Sequence, residues 1–334
     1  MPSATLVVAQ AGPLVSVQDG GRPGLMRFGV PRSGPMDRHG FRSAQAALGL
    51  SSEDSVLEIS LGGLTLDGID GSVTLALAGG QFRAAIDGTS IAAWSVATLR
   101  AGSRLTIRPG DWGSWCYLAL AGRLKSKRWL GSSATYSIAN LGGGQLVAGD
   151  RLVVAAAETL PEREGALPCP DWAKPPGEVR VVLGPQQHLF GPAAVATLLS
   201  EPYTLSDAYD RMGVRLSGPS LGPLARLDMP SEALVRGSVQ VAGDGVPTVL
   251  LADHQTTGGY PKIATVISAD LDAFTQARAG APLRFRAVTP EAAIAAAREH
   301  QVVVERHLAA LRQGALPLQA RLMRLNLVDG VVKG

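Results

Sequence analysis

Short apolar runs cut off by glycine or proline recur along the whole chain. TLVVAQ (5–10), SVTLALA (72–78), SRLTIRP (103–109), WCYLALA (115–121), DRLVVAA (150–156), EVRVVLG (178–184) and SVQVAG (238–243) are β-branched or alternate apolar with polar positions, which predicts strands. Helical spacing is rarer. Residues 36–50 place Phe41, Ala44, Ala47 and Leu48 on one face, and Gly49 marks an end. DLDAFTQA (270–277) predicts a short helix capped by Asp270. The last helix is defined at both ends: Thr289 as N-cap, Pro290 as first residue, Glu291 in the first turn, an alanine-rich run to Arg312 and Gly314 as stop. His300 and His307 are expected on its solvated face. The pattern predicts a mainly β protein, of barrel or sandwich type, with a few helices plugging the ends.

The segment LPEREGALPCPDWAKPPGE (160–178) holds five prolines and several charges and reads as a linker. It predicts a first β module over 1–160, a linker over 161–177, and a second β module with the C-terminal helix over 178–334. The halves share ordered matches. GVPRSGP (29–35) resembles GVRLSGP (213–219), and the pieces starting at Glu58, Thr74 and Arg100 resemble those starting at Glu232, Thr248 and Arg278. These predict an internal duplication, with a cleft between the two modules as the expected ligand site.

A length of 334 residues agrees with two domains. A net charge of +3 with scattered arginines gives no nucleic-acid footprint. Cys116 and Cys169 have no disulfide or zinc spacing. No secretory signal or membrane span is expected, so the cytoplasm is the expected compartment. There is no phosphate loop of the G-x-x-x-x-G-K type, no nucleophile elbow, no metal spacing among the five histidines and no lysine flanked by methionines as in a biotin carrier.

The densest chemistry is ADHQTTGGYPKIA (252–264), which follows an apolar strand. Asp253 can orient His254 at the strand end. Gln255, Thr256 and Thr257 offer hydrogen-bonding groups. Gly258 and Gly259 permit positive φ and close approach of backbone N–H groups to a ligand. Tyr260–Pro261 has a raised chance of a cis bond, and Lys262 supplies a cation facing the cleft. A second cluster, VQDGGRPGLMRFGVPRSGPMDRHG (17–40), brings Asp19, Arg22, Arg27, Arg32, Asp37, Arg38 and His39 into a loop before a helix, with Ser33 or Gly34 near the helix start, where free N–H groups favour anions. In the other half, SDAYDRMGVRLSGP (206–219) offers Asp210 and Arg211, read as a pair.

QDGGRPG…GVPRSGPMD, YDRMGVRLSG, SEALVRGSVQVAGDG and DHQTTGGYPKIATVISADLDAFTQA together resemble the KipA family, also known as the 5-oxoprolinase C-subunit, allophanate hydrolase subunit two or carboxyltransferase subdomain A/B family. The resemblance spans roughly residues 5 to 300. It implies a pair of cyclophilin-like β-barrel modules. It implies ATP-dependent opening of 5-oxoproline to glutamate in a complex with two partners, a KipI-like B component and a LamB/YcsF-like A component. In that reading Asp253 or His254 handles protons and Lys262 with the glycine N–H groups steadies oxyanion charge, while Asp19, Arg22, Asp37, Arg211 and residues 255–260 contact substrate. Two alternatives accompany it: carboxyl transfer from carboxybiotin to urea, and a non-enzymatic antagonist that binds a KipI-like kinase inhibitor. Residues 131–135 read GSSAT where that family has GSRST, and Arg123 stands where it often has glycine. Both departures fall in the first half and shift the expected anion site to the second-half loop.

Overall fold

The computed structural model describes residues 2–222 and 229–314. The first module is one antiparallel sheet built from β1 (Ser3–Ala11), β2 (Ser16–Gln18), β3 (Val56–Ile59), β4 (Leu64–Asp70), β5 (Val73–Ile86), β6 (Thr89–Ile91), β7 (Ser95–Leu99), β8 (Arg104–Leu120), β9 (Arg123–Leu124), β10 (Arg151–Ala155) and β11 (Gly165–Ala166). Its order is β11-β7-β5-β8-β4-β1-β10-β9, with β3 and then β2 alongside the C-terminal part of β8. The apolar runs 103–109 and 115–121 are a single strand, β8, which pairs along nearly its whole length with β5.

The second module contains β12 (Glu178–Leu183), β13 (Tyr203–Tyr209), β14 (Gly213–Ser217), β15 (Glu232–Ala233), β16 (Ser238–Val241), β17 (Pro247–Leu250), β18 (Thr257–Gly258), β19 (Lys262–Val266) and β20 (Pro282–Ala287). Seven of these close a barrel in the order β12-β19-β16-β17-β14-β13-β20, sealed by the parallel β12–β20 pair, while β15 and β18 form a separate ribbon. Among the described residues, four α-helices accompany the strands: α1 (Arg38–Leu48), α2 (Pro192–Ser200), α3 (Ser268–Phe274) and α4 (Pro290–Gln313). The fold is therefore mainly β and bipartite, a closed barrel beside a larger sheet.

Helix α4 begins as the sequence predicts, with the Thr289 hydroxyl accepting from Ala292 N–H and Pro290 in the first turn. Helix α3 does not. Ile267 occupies its N-cap, and Asp270 is the third helical residue, in the first turn, where it binds Arg180 at 2.5 Å. The proline-rich segment is not a free tether: β11 pairs with β7, and Trp172 packs edge-on against His39 and His300. Helix α4 then crosses back onto α1, burying Val304, Leu308 and Leu311 against Ala46. His300 and His307 lie on that contact face, not in solvent: the rings of His300 and His39 meet, and His307 packs against Trp94 and Trp172.

The sequence match GVPRSGP/GVRLSGP does not become a structural match. Residues 213–217 are strand β14, with Arg215 opposite Thr248 of β17. Residues 29–35 are loop, because Pro31 stands where Arg215 does in the second half and has no N–H to give a ladder.

Candidate functional site

Strand β17 leads to the inner edge of the barrel, and the chain enters the boundary between modules at Asp253, whose N–H donates to Arg211 O at 2.7 Å. The Asp253 carboxylate is fully buried and takes Arg211 in a fork: Nε to Oδ2 at 2.9 Å and Nη2 to Oδ1 at 3.1 Å. Ser137 of the first module adds its N–H at 3.0 Å and its hydroxyl at 2.7 Å. Arg211 also binds Glu58, a carboxylate on β3 that accepts from Met36 N–H at 2.7 Å and from the Tyr117 hydroxyl at 2.8 Å. Burial pushes the Glu58 carboxyl up despite Arg211. Burial opposes ionisation of Asp253 too, but Arg211 and Ser137 outweigh it and hold that carboxyl below its usual range. Arg211 thus pairs with Glu58 and Asp253. Its expected partner Asp210 instead accepts from Met212 and Gly213 N–H in a turn.

His254 follows directly. The residue is 5% exposed. Nδ1 lies 2.6 Å from Gln255 O, which assigns the proton to Nδ1 and leaves Nε2 as acceptor. Burial, assisted by the Arg236 charge, lowers its pKa, so the ring is neutral at neutral pH.

Beyond His254 the loop turns away. Residues 257–258 pair with 232–233. Gln255 donates to Gln240 at 3.3 Å. Thr257 is exposed and Tyr260 is 48% exposed. Gly258 and Gly259 have no positive φ. Gly258 serves close packing instead, since a Cβ there would approach Leu234 Cδ1 to 3.0 Å. The Tyr260–Pro261 bond is trans, and the cis bond among the described residues is Gly184–Pro185. Lys262 is buried, with Nζ 3.2 Å from Glu232. A lysine in the closed barrel wall has its aliphatic stem held between strands, so it does not project into the cleft as expected.

The cleft between the modules measures about 890 Å³. Asp19, Ser33 and Arg128 line its first-module wall, while Arg236, His254 and Ile267 line the wall opposite. Ile294 and Ala297 of α4 close one side. Of the ionisable residues expected to contact a ligand, His254 and Asp19 reach this space. Asp19 is inward-turned: its oxygens accept from Gly21 N–H at 2.9 Å, the Ser132 hydroxyl at 2.6 Å, Ser133 N–H at 2.7 Å and hydroxyl at 2.9 Å, and Ala134 N–H at 3.2 Å. The GSSAT segment is therefore the clamp on Asp19. Arg22 stacks 4.8 Å over Trp129 and bonds Ala134 O. Asp37 caps α1, accepting from His39 N–H at 2.9 Å and Gly40 N–H at 3.0 Å, with Gln276 Nε2 at 2.7 Å on its other oxygen.

Comparison with known proteins agrees with this architecture. The family model "Carboxyltransferase domain, subdomain A and B" matches residues 28–287. The C-subunit of the 5-oxoprolinase of Escherichia coli K12 is 33% identical over 299 residues, 89% of this chain and 95% of that protein. The corresponding C-subunit of Haemophilus influenzae is 33% identical over 87% of this chain and 93% of its own.

The chain belongs to the carboxyltransferase subdomain A and B family.

The solved urea carboxylase of Kluyveromyces lactis gives a TM-score of 0.80 at 26% identity, over 92% of this chain and 29% of that one. The family resemblance carried by the QTTGGYPK block is thus borne out, and its named relatives are those of the 5-oxoprolinase and urea carboxylase readings.

The carboxyltransferase fold of this chain also uses residues that the motif reading passed over. Asp272 of α3 binds Arg38 at 2.8 Å and lies 3.3 Å from His39. Gln276 reaches Ser114 N–H at 2.9 Å. It fits there because Gly113 has no side chain: a Cβ would lie 2.3 Å from Gly80 Cα and 2.9 Å from Gln276 Oε1. Glu58 was visible as an acid inside the apolar strand VLEI, a placement that demands a buried partner.

Proposed function

We propose that this chain acts as the C component of a 5-oxoprolinase, in which the inter-module cleft takes the cyclic amide and His254 moves the protons of its hydrolysis. The observation that carries the reading is the near end-to-end similarity to the C-subunits of bacterial 5-oxoprolinases. The cleft supports it, since neutral His254 presents Nε2 beside a basic surface. When the lactam opens, water adds to the ring carbonyl, the C–N bond breaks and the nitrogen leaves as an amine. His254 Nε2 accepts the proton of the attacking water and returns it to the departing nitrogen. The cleft holds five arginines against Asp19 and Glu53, a set that fits an anionic group. It offers no lysine-bearing phosphate loop, so no step here runs through ATP, which enters the proposal as a requirement of the complex. KipI-like and LamB/YcsF-like proteins are the proposed partners and the cytoplasm the proposed compartment. The two cysteines, unpaired in the fold, are compatible with that setting.

The test is reconstitution. The complex with both partners should convert 5-oxoproline to glutamate with ATP consumption, and this chain alone should not. Biotin-dependent carboxylation of urea without 5-oxoproline turnover would replace this reading with the carboxyl-transfer one. Stable binding to the KipI-like partner with neither activity would favour the antagonist.

A further inference from the structure

The five arginines of the cleft are not equivalent. Arg38 is committed to Asp272 at 2.8 Å and Arg42 to Glu305 at 2.6 Å. Arg236 is spent on Pro35 O at 3.2 Å and Met36 O. Arg32 makes no side-chain hydrogen bond among the described residues. Arg128 stands 3.9 Å from its nearest carboxylate, Asp19, too far for a hydrogen bond. Ser33 lines the same cleft, is 6% exposed and has no partner for its hydroxyl among the described residues. Its φ of 54° is one that a serine seldom adopts. A buried hydroxyl without a partner, on a wall with two uncommitted guanidinium groups, is incomplete as pure structure.

The two loops that carry these groups are tied together. Arg22 N–H donates to Arg32 O at 2.9 Å, holding 32–34 beside 19–22. The Asp19 carboxylate clamps the 132–134 turn that follows Arg128. Five donors meet the Asp19 charge, so it serves to join the loops.

We propose that Arg32, Ser33 and Arg128 form a carboxylate subsite on the first-module wall of the cleft. The planar guanidinium fork matches a carboxylate in two bonds, and a small turn of the Ser33 side chain adds a third donor. An acid held there directs the rest of a small ring toward His254 on the opposite wall. The identity of the acid as 5-oxoproline rests on the proposed hydrolase function; the subsite itself does not.

The experiment is calorimetric titration of the full chain, and of its complex with both partners. Four probes are used: 5-oxoproline, tetrahydrofuran-2-carboxylate (a ring acid without the amide), 2-pyrrolidone (the amide without the acid) and inorganic phosphate. Both acids should bind. Loss of the carboxylate in 2-pyrrolidone, or Arg32→Gln or Arg128→Gln in the protein, should each weaken binding about tenfold, and Ser33→Ala severalfold, with unchanged melting temperatures. Affinity for 2-pyrrolidone should not respond to the arginine variants. Acid binding that ignores both arginine variants, equal binding of 2-pyrrolidone and 5-oxoproline, or no acid binding to either chain or complex would overturn the subsite. Phosphate that outcompetes both acids, and is lost in the same variants, would overturn its assignment to carboxylates. Binding of the ring acid by a complex that does not turn over 5-oxoproline would support the subsite and count against the hydrolase reading.

Discussion

His254 and Lys262 entered as neighbours in one polar loop, and the structure separates them. His254 keeps its proton on Nδ1 through Gln255 O at 2.6 Å, so Nε2 is free to act as a base. Burial lowers its pKa from 6.5, which places the loss of the base form below that pH. The acid limb of activity in the reconstituted complex should therefore have its midpoint below pH 6.5. His254→Gln should remove about two orders of magnitude of turnover and abolish that acid limb. A variant with normal turnover, or with the limb intact, would take the base role away from His254. Lys262 leads to a different expectation. Its stem is buried and its Nζ meets the half-exposed Glu232, so most of its worth is in packing. Lys262→Ala should cost about 2–3 kcal/mol in denaturant unfolding, and Lys262→Met, which keeps the stem, less than about 1 kcal/mol. Equal losses would show that charge dominates. That Asp253 and His254 need buried partners was legible, because a polar pair at the end of an apolar strand must find them; the expected orientation of His254 by Asp253 is not what forms, since Asp253 faces Arg211 and Ser137 while His254 Nδ1 meets Gln255 O. The burial of Lys262 was not, because only the pairing of β19 with β12 and β16 brings Lys262 beside Glu232 and Gln186.

At the scale of elements, most strands and the ends of α4 could be read from short-range rules: proline, glycine and a capping threonine act within a few residues of themselves. Where α4 docks could not, because its contact face is written in histidines that also suit a solvated surface. His39 on α1 shows what that docking does. Burial, outweighing Asp272 and aided by His300, Arg38 and Arg42, pushes its pKa down to about 4. Between pH 6.5 and about 4 the unfolded chain binds a proton that the folded protein refuses. The contribution of His39 is therefore complete above pH 6.5 and is lost as pH falls toward 4, by up to about 3 kcal/mol. Asp37 works the other way. Burial and Asp272 raise it to about 7, so its folded form takes up a proton first and gains relative stability as pH falls through that value. The useful measurement is thus a difference, the stability of the protein minus that of His39→Gln across pH 4 to 7. That difference should shrink or turn negative toward pH 4. A difference independent of pH would mean that His39 is protonated equally in both states.

For the molecule as a whole, the question is whether two modules behave as two. The proline-rich segment suggested a divisible chain, but the boundary is crossed by polar contacts with at least one buried partner: Arg38 to Asp272, Gln276 to Asp37 and Ser114, Trp115 Nε1 to Tyr209 at 3.0 Å, and Arg211 between Glu58 and Asp253. Few of these could be inferred from sequence, since the partners that meet across the boundary lie from 94 to 239 positions apart. Separating the modules would expose them all, so unfolding should be a single transition with coincident signals from tryptophan fluorescence, which comes from the first module and the 160–178 segment (Trp94, Trp112, Trp115, Trp129 and Trp172), and from far-ultraviolet dichroism of the whole chain. Arg211 is the strongest test. It is fully buried with two fully buried carboxylates, a geometry in which desolvation cancels much of the Coulomb gain. Removing only the cation, as in Arg211→Met, leaves Glu58 and Asp253 facing each other without compensation and should cost about 3–5 kcal/mol. Replacing all three (Glu58→Gln, Arg211→Met, Asp253→Asn) removes the stranded charges and should recover more than half of that loss. If the triple variant is instead as unstable as Arg211→Met, hydrogen-bond geometry and not charge balance joins the modules. If Arg211→Met separates unfolding into two transitions, the triad is what makes the two modules one cooperative unit, and the cleft between them depends on it.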